Sequence, residues 1–329
     1  MNNRRKFLKT AATGVLLAGS QAAREAAAET PAAHARVVVA RDNSLNGVLD
    51  EAKVLALLDK SMAAYTGREN TREQWRRVIP ARVLAGKCVG LKVNGLGGRG
   101  IATHAALIAA VCERLQQAGV KPGNIVVWDR DAHHLAACGQ NINASDRTRV
   151  RVIGNDSFGY EEKETLCGEA KIHLAKLLTE ECAMTINMPV LKDHEMAGLT
   201  FAMKNMYGVL DRPNLLHSNH CNPSIAQLNA LSAVRDRVRL VIGDALASVC
   251  DGGPVFHPEH LWYPNALIVG EDRVAVDQVA WQMLEARRQQ AGLPALAAAG
   301  REPQYIATAA SAGYRLGIND TTRIHRMDV

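Results

Sequence analysis

The chain lacks the cysteine spacing of the common metal clusters. Its seven cysteines (Cys88, Cys112, Cys138, Cys167, Cys182, Cys221 and Cys250) come no closer than fifteen positions, and no Cys-x-x-Cys occurs. That argues against an iron–sulfur cluster or a structural zinc site of the usual kinds. It leaves mostly buried thiols, with room for one disulfide in an oxidising compartment. The chain also lacks any run approaching the ~20 apolar residues that cross a bilayer, so no stable membrane span is expected.

Basic excess is missing too, once the first residues are set apart. Asn3-Arg4-Arg5-Lys6-Phe7-Leu8-Lys9 precedes a weakly apolar run at 11–18, and Ala26-Ala27-Ala28 follows. This is the order of a bacterial export signal, and the paired arginines resemble the twin-arginine class. The expectation is a signal peptide at 1–28, recognition by the twin-arginine export machinery and a periplasmic mature protein. Cleavage after Ala28 takes lysines plus arginines from 39 to 34 and acids from 33 to 32, so +6 becomes +2. A nearly neutral mature protein gives no electrostatic case for nucleic acid.

The full chain has 47% apolar and 22% charged residues, the composition of an ordinary globular protein with a sizeable core. Strands are expected at 35–40, 87–93, 124–128, 149–153, 182–187, 238–242 and 266–269. Helices are expected at 49–65, 103–118, 223–234, 274–287 and 303–312. The alternation points to an α/β fold with a mainly parallel sheet and flanking helices. Residues 29–329 then form one α/β domain, or two subdomains around a cleft that divide near 154–163. In such sheets ligands gather at the C-terminal strand ends. That rim would hold Lys92, Asn94, Asp129, residues 188–194 and Asp244.

Residues 188–210, MPVLKDHEMAGLTFAMKNMYGVL, set Lys192, Asp193, His194, Lys204 and Asn205 among apolar side chains. Burying so many polar groups is costly unless each finds a partner. Leu216-His217-Ser218-Asn219-His220-Cys221 follows and adds two imidazoles. Gly95-Leu96-Gly97-Gly98-Arg99-Gly100 lies between a strand and a helix, where amide N–H groups can meet a phosphate. The acid expected about twenty residues on is absent, which disfavours a nicotinamide-dependent oxidoreductase. Asp129-Arg130-Asp131-Ala132-His133-His134 reads either as a metal or acid–base site or as a solvated turn.

Several of these stretches, taken in order, resemble the bacterial and archaeal family called "domain of unknown function 362", over roughly residues 84–284. They are Lys92-Val93-Asn94, Asn187-Met188-Pro189-Val190-Leu191-Lys192-Asp193-His194, Thr200 with Ala202-Met203-Lys204-Asn205-Met206-Tyr207-Gly208, Gly252-Gly253-Pro254 and Val274-Ala275-Val276-Asp277. Many members carry ferredoxin-like cysteine clusters, and this chain has none. A more distant resemblance is to the nickel-pincer lactate racemases. Nine residues separate His194 from Lys204, and fifteen more separate Lys204 from His220 within Asn219-His220-Cys221. That resemblance implies a nickel-pincer nucleotide attached to Lys204, nickel on His220, and catalytic roles for His194 and for His133 or His134. Lys92, Asn94, Gly95, Gly97 and Asn205 would complete cofactor binding, and the substrate would be a small hydroxy acid. The same cluster also suits a non-catalytic periplasmic protein that binds an anion or a metal.

If the leader is real, N-terminal sequencing of exported protein should begin at Glu29. Material that begins at Met1 would reject the leader.

Overall fold

In a computed structural model the described residues are 34–329 apart from 46, 48 and 99. The expected signal peptide lies outside them. Strand β1 (Ala35–Arg41) sends Val37 and Val39 to one core and Val38 and Ala40 to another. That period of two marks a strand covered on both faces. Helix α1 (Glu51–Thr66) starts where the Asp50 carboxylate accepts the Lys53 N–H and stops at Gly67, φ 66°. The next helix, α2 (Thr71–Val78), was not expected. Its sequence is almost wholly polar, and it is pinned by the fully buried Trp75.

After α3 (Ala81–Leu84), two β–α–β steps follow: β2 (Cys88–Lys92), α4 (Ala105–Ala118), β3 (Ile125–Asp129), α5 (Ala132–Ala137) and β4 (Arg151–Gly154). The segment 154–163 carries α6 (Asn155–Phe158) and lies inside one contact unit that runs from Ala33 to Val329. A small hairpin, β5 (Thr165–Cys167) with β6 (Ala170–Ile172), leads to β7 (Cys182–Asn187). A second hairpin, β8 (Lys192–His194) with β9 (Gly198–Thr200), folds over the end of the sheet. The helix expected at 223–234 is two, α7 (Ser224–Ala230) and α8 (Ser232–Arg235). The break falls at Leu231, whose ψ of 132° is extended. The chain closes with β10 (Val238–Ala245), the pair β11 (Ser248–Val249) and β12 (Leu261–Trp262), β13 (Ala266–Gly270), α9 (Arg273–Gln290), α10 (Tyr305–Ala310) and β14 (Ile324–Asp328).

Eight strands make the main sheet in the order β14-β1-β13-β10-β7-β2-β3-β4. Only β13 runs antiparallel to its neighbours, so the sheet is mostly parallel, as expected. Helices α1 and α4 pack on one face and α7, α9 and α10 on the other, giving an α/β sandwich with two cores.

One buried ionic knot fixes the β8–β9 hairpin to the rest. Fully buried Asp193 receives both Arg301 Nη1 contacts, at 2.6 and 2.7 Å, and the Gly253 N–H at 3.0 Å. Arg288 lies 3.6 Å from Asp193 and 2.7 Å from Asp251, which Arg301 also reaches. Gly253 admits no side chain, because a Cβ there would sit 1.9 Å from the Asp193 carbonyl oxygen.

Removing one partner of such a pair strands the other charge out of water. Arg301→Met should therefore lower the unfolding free energy by about 3 kcal/mol, measured by chemical denaturation. A loss under about 1 kcal/mol, the range of an exposed ion pair, would show that the knot adds little.

Candidate functional site

Strands β2 and β7 are neighbours, but the chain leaves them in opposite directions, towards β3 from one and β10 from the other. Such a switch point opens a crevice at the C-terminal strand ends. Here it is a cleft of about 280 Å³. Lys92, Asn94, Asp129, His134, His194, Thr200, Lys204, Asn205, Tyr207 and His217 are among the residues that line it.

Three lysines are buried at this rim, and each meets the cost differently. Lys92, at the end of β2, has a counter-ion: its Nζ is 2.8 Å from Asp129 Oδ1 at the end of β3. It also donates to Val93 O at 2.6 Å and Asn205 Oδ1 at 3.1 Å. Burial works against the Asp129 charge, but Lys92 and the N–H groups of Gly95 and Arg130 outweigh it and hold the carboxyl below its usual range. Gly208 leaves room for this pair, since a Cβ there would lie 2.7 Å from Lys92 Nζ.

Lys192 has no close carboxylate and is solvated by protein oxygens instead. It donates to Asn94 Oδ1 at 3.0 Å, to Ile101 O at 3.3 Å and to Leu96 O. Burial lowers its pKa to about 7. This corrects the phosphate cradle expected at Gly95 and Gly97. The loop turns carbonyl oxygens inward onto an ammonium, and the Gly95 N–H is spent on Asp129 Oδ2 at 2.8 Å. The glycines answer to packing: a Cβ on Gly95 would stand 2.0 Å from His134 O, and one on Gly97 2.5 Å from Pro254 O.

Lys204 has neither arrangement. Its Nζ lies 3.1 Å from His217 Nε2 and 3.6 Å from the centre of the Tyr207 ring, with no carboxylate in contact. Burial lowers its pKa to about 8. His217 gives its Nδ1 hydrogen to Pro213 O at 2.9 Å, which leaves Nε2 as the acceptor for Lys204.

His194 has the opposite tautomer. Its Nδ1 accepts the N–H groups of Met196 and Ala197, at 3.1 and 3.3 Å. Burial, with Lys204 and His217 nearby, holds its pKa far below the usual imidazole range. The ring is therefore neutral with its hydrogen on Nε2, a donor. Beside it the Thr200 hydroxyl is 4% exposed and has no hydrogen-bond partner.

Asn205 knits the floor, accepting from Lys92 and Asn94 and donating to Asn187 Oδ1 at 2.7 Å. His134 lines the cleft, while His133 is exposed outside it. The expected convergence of Lys92, Asn94, His194, Lys204 and His220 holds for the first four. His220 is exposed, does not line the cleft, and is bonded through Nδ1 to Met196 O at 3.0 Å. It sits in a run of three left-handed residues, Asn219, His220 and Cys221, with φ of 48°, 54° and 60°. Lys204 lines the cleft and His220 does not. Racemase spacing drew attention to His220, whereas His217, three residues earlier, is the imidazole that meets Lys204. Thr200 was marked by the family resemblance but not expected as a site residue.

A family model described as "Domain of unknown function (DUF362)" matches residues 89–282, a span that contains all of these cleft residues. No curated protein matches the chain by sequence. Among solved structures, a Northeast Structural Genomics Consortium crystal structure of a Thermotoga maritima protein is similar at 12% identity and a TM-score of 0.43. The match covers 73% of this chain and 59% of that one.

Lys204 yields a prediction about stability. Its pKa is about 8 when folded, against an ordinary lysine value of 10.5 when unfolded. Below about pH 8 both states are charged and the full cost of burial is present; above 10.5 neither is charged and the cost is gone. Lys204→Met should therefore melt higher than the parent at pH 7, and the gap should close as pH rises from 8 towards 10.5. A variant that melts lower at pH 7 would mean that Lys204 is a structural residue.

Proposed function

The chain belongs to the DUF362 family, and from that premise and the chemistry of its cleft we propose that it binds a small organic anion, a hydroxy acid foremost. The observation that carries this reading is Lys204, a buried ammonium with no counter-ion that opens into the cleft. A protein does not gain stability by holding such a charge, so a ligand carboxylate is its natural partner. The surrounding groups favour the same ligand. His194 offers an Nε2 hydrogen and Thr200 an unused hydroxyl, and the cleft of about 280 Å³ suits a molecule of a few carbons. Behind a twin-arginine leader the binding would take place in the periplasm.

A second reading rests on the same nitrogen. An amine lowered to about pKa 8 with an imidazole acceptor at 3.1 Å is equipped for covalent attachment of a cofactor. Intact-mass measurement of protein from its own host decides this. An adduct on the Lys204 peptide supports attachment, and an unmodified Lys204 leaves anion binding alone.

Calorimetric titration with glycolate and lactate tests the main proposal. Binding should weaken as pH rises through about 8, where Lys204 loses its charge. Lys204→Met should cost roughly tenfold to a hundredfold in affinity, the worth of a hydrogen bond to a charged group. Undiminished binding by Lys204→Met would move the anion site elsewhere.

A further inference from the structure

At the mouth of the cleft, the turn after β3 brings together three ligand atoms that the anion reading does not use. Asp131, His133 and His134 each offer one, and all lie within 4.8 Å of one another. Asp131 Oδ2 is already 3.5 Å from His134 Nδ1. Two donors bound to one ion at ~2.0–2.1 Å stand about that far apart in a tetrahedral shell. The two imidazole rings are 4.1 Å apart, centre to centre.

These side chains engage mainly one another. Neither imidazole makes a hydrogen bond among the described residues. Asp131 directly precedes α5, yet its carboxylate caps nothing. The Ala132 N–H beside it is taken by Asp156 Oδ2 at 3.2 Å. An aspartate in that position ordinarily gains about 1 kcal/mol by capping. Here it turns towards the histidines, and its other charged neighbour, Arg130 Nε, stands off at 3.8 Å.

From this arrangement we propose that Asp131, His133 and His134 bind a divalent first-row transition ion. Two imidazoles and one carboxylate are a donor set for zinc, cobalt, nickel or ferrous iron rather than magnesium or calcium. Three protein ligands leave coordination positions open. Because His134 lines the cleft, an ion held here would border the space where the anion would lie. The backbone holds the turn in place: the His134 carbonyl packs against Gly95, and β3 pairs with β4 through Asp129 and Gly154.

The test is titration of the untagged protein with Co²⁺, read by visible d–d absorbance, and with Zn²⁺ by calorimetry. One ion per chain is expected. His134→Ala and Asp131→Asn should each weaken it by at least roughly tenfold. His133 is exposed, so His133→Ala should keep its fold and carries the test if the other variants do not. A His257→Ala, His260→Ala double variant, which removes a separate surface pair with ring centres 6.4 Å apart, should bind as the parent does. Lys204→Met should also bind metal normally, which separates this site from the anion proposal. The assignment is overturned by no stoichiometric binding, by undiminished binding in His133→Ala with Asp131→Asn, or by equal losses in the His257/His260 variant.

Discussion

Three ammonium groups removed from water within one rim set the terms for everything around them. A buried cation must be neutralised, solvated by protein oxygens, or left for something that arrives from outside. Lys92 is neutralised by Asp129 across neighbouring strands. Lys192 is solvated by two carbonyl oxygens and an amide oxygen, and in return it fixes the glycine loop. Those two solutions consume Asn94, Asn205, the glycine turn and, among the described residues, the only carboxylate that touches any of the three. Lys204 has a neutral imidazole and an aromatic face beside it, and no carboxylate in contact among the described residues.

The framework was legible in the sequence because a doubly covered sheet writes itself as short apolar runs. Strand β7 falls where the pattern puts it, residues 182–187, and β2, β3 and β10 shift by a few residues at most. What escaped had no such signature. Helix α2 is polar but for Trp75 and Val78, and β14, an edge strand with alternating polar residues, buries little. The short β8–β9 hairpin is held by Asp193 and Arg301, 108 residues apart, a relation that no local period reveals.

The site was legible in kind but not in detail. Polar residues set among apolar ones at 192–205 announced a buried polar cluster, and the switch point between β2 and β7 placed it. Which lysine would be left without a partner could not be read, because the answer depends on oxygens from distant loops. The histidines differ likewise by backbone: an acceptor carbonyl fixes one tautomer in His217, two donor amides fix the other in His194, and a left-handed turn carries His220 outward.

The position of β1 has a consequence for how the molecule can be assembled. This first strand lies between β13 and β14, with Ala35 in register with Ile324 and Val38 with Val269. Its neighbours are thus made about 230 and 290 residues later, and the sheet cannot close on the ribosome until they emerge. Contacts of such long sequence separation make for slow, late closure, with an apolar strand waiting unpaired in the meantime. Because β1 and β14 run parallel, residue 34 and Val329, which is bonded to Val39 and Arg41, stand at opposite ends of this strand pair. A circular permutant with a linker long enough to run back along this pair, opened in an exposed loop, would turn the most distant contacts into local ones.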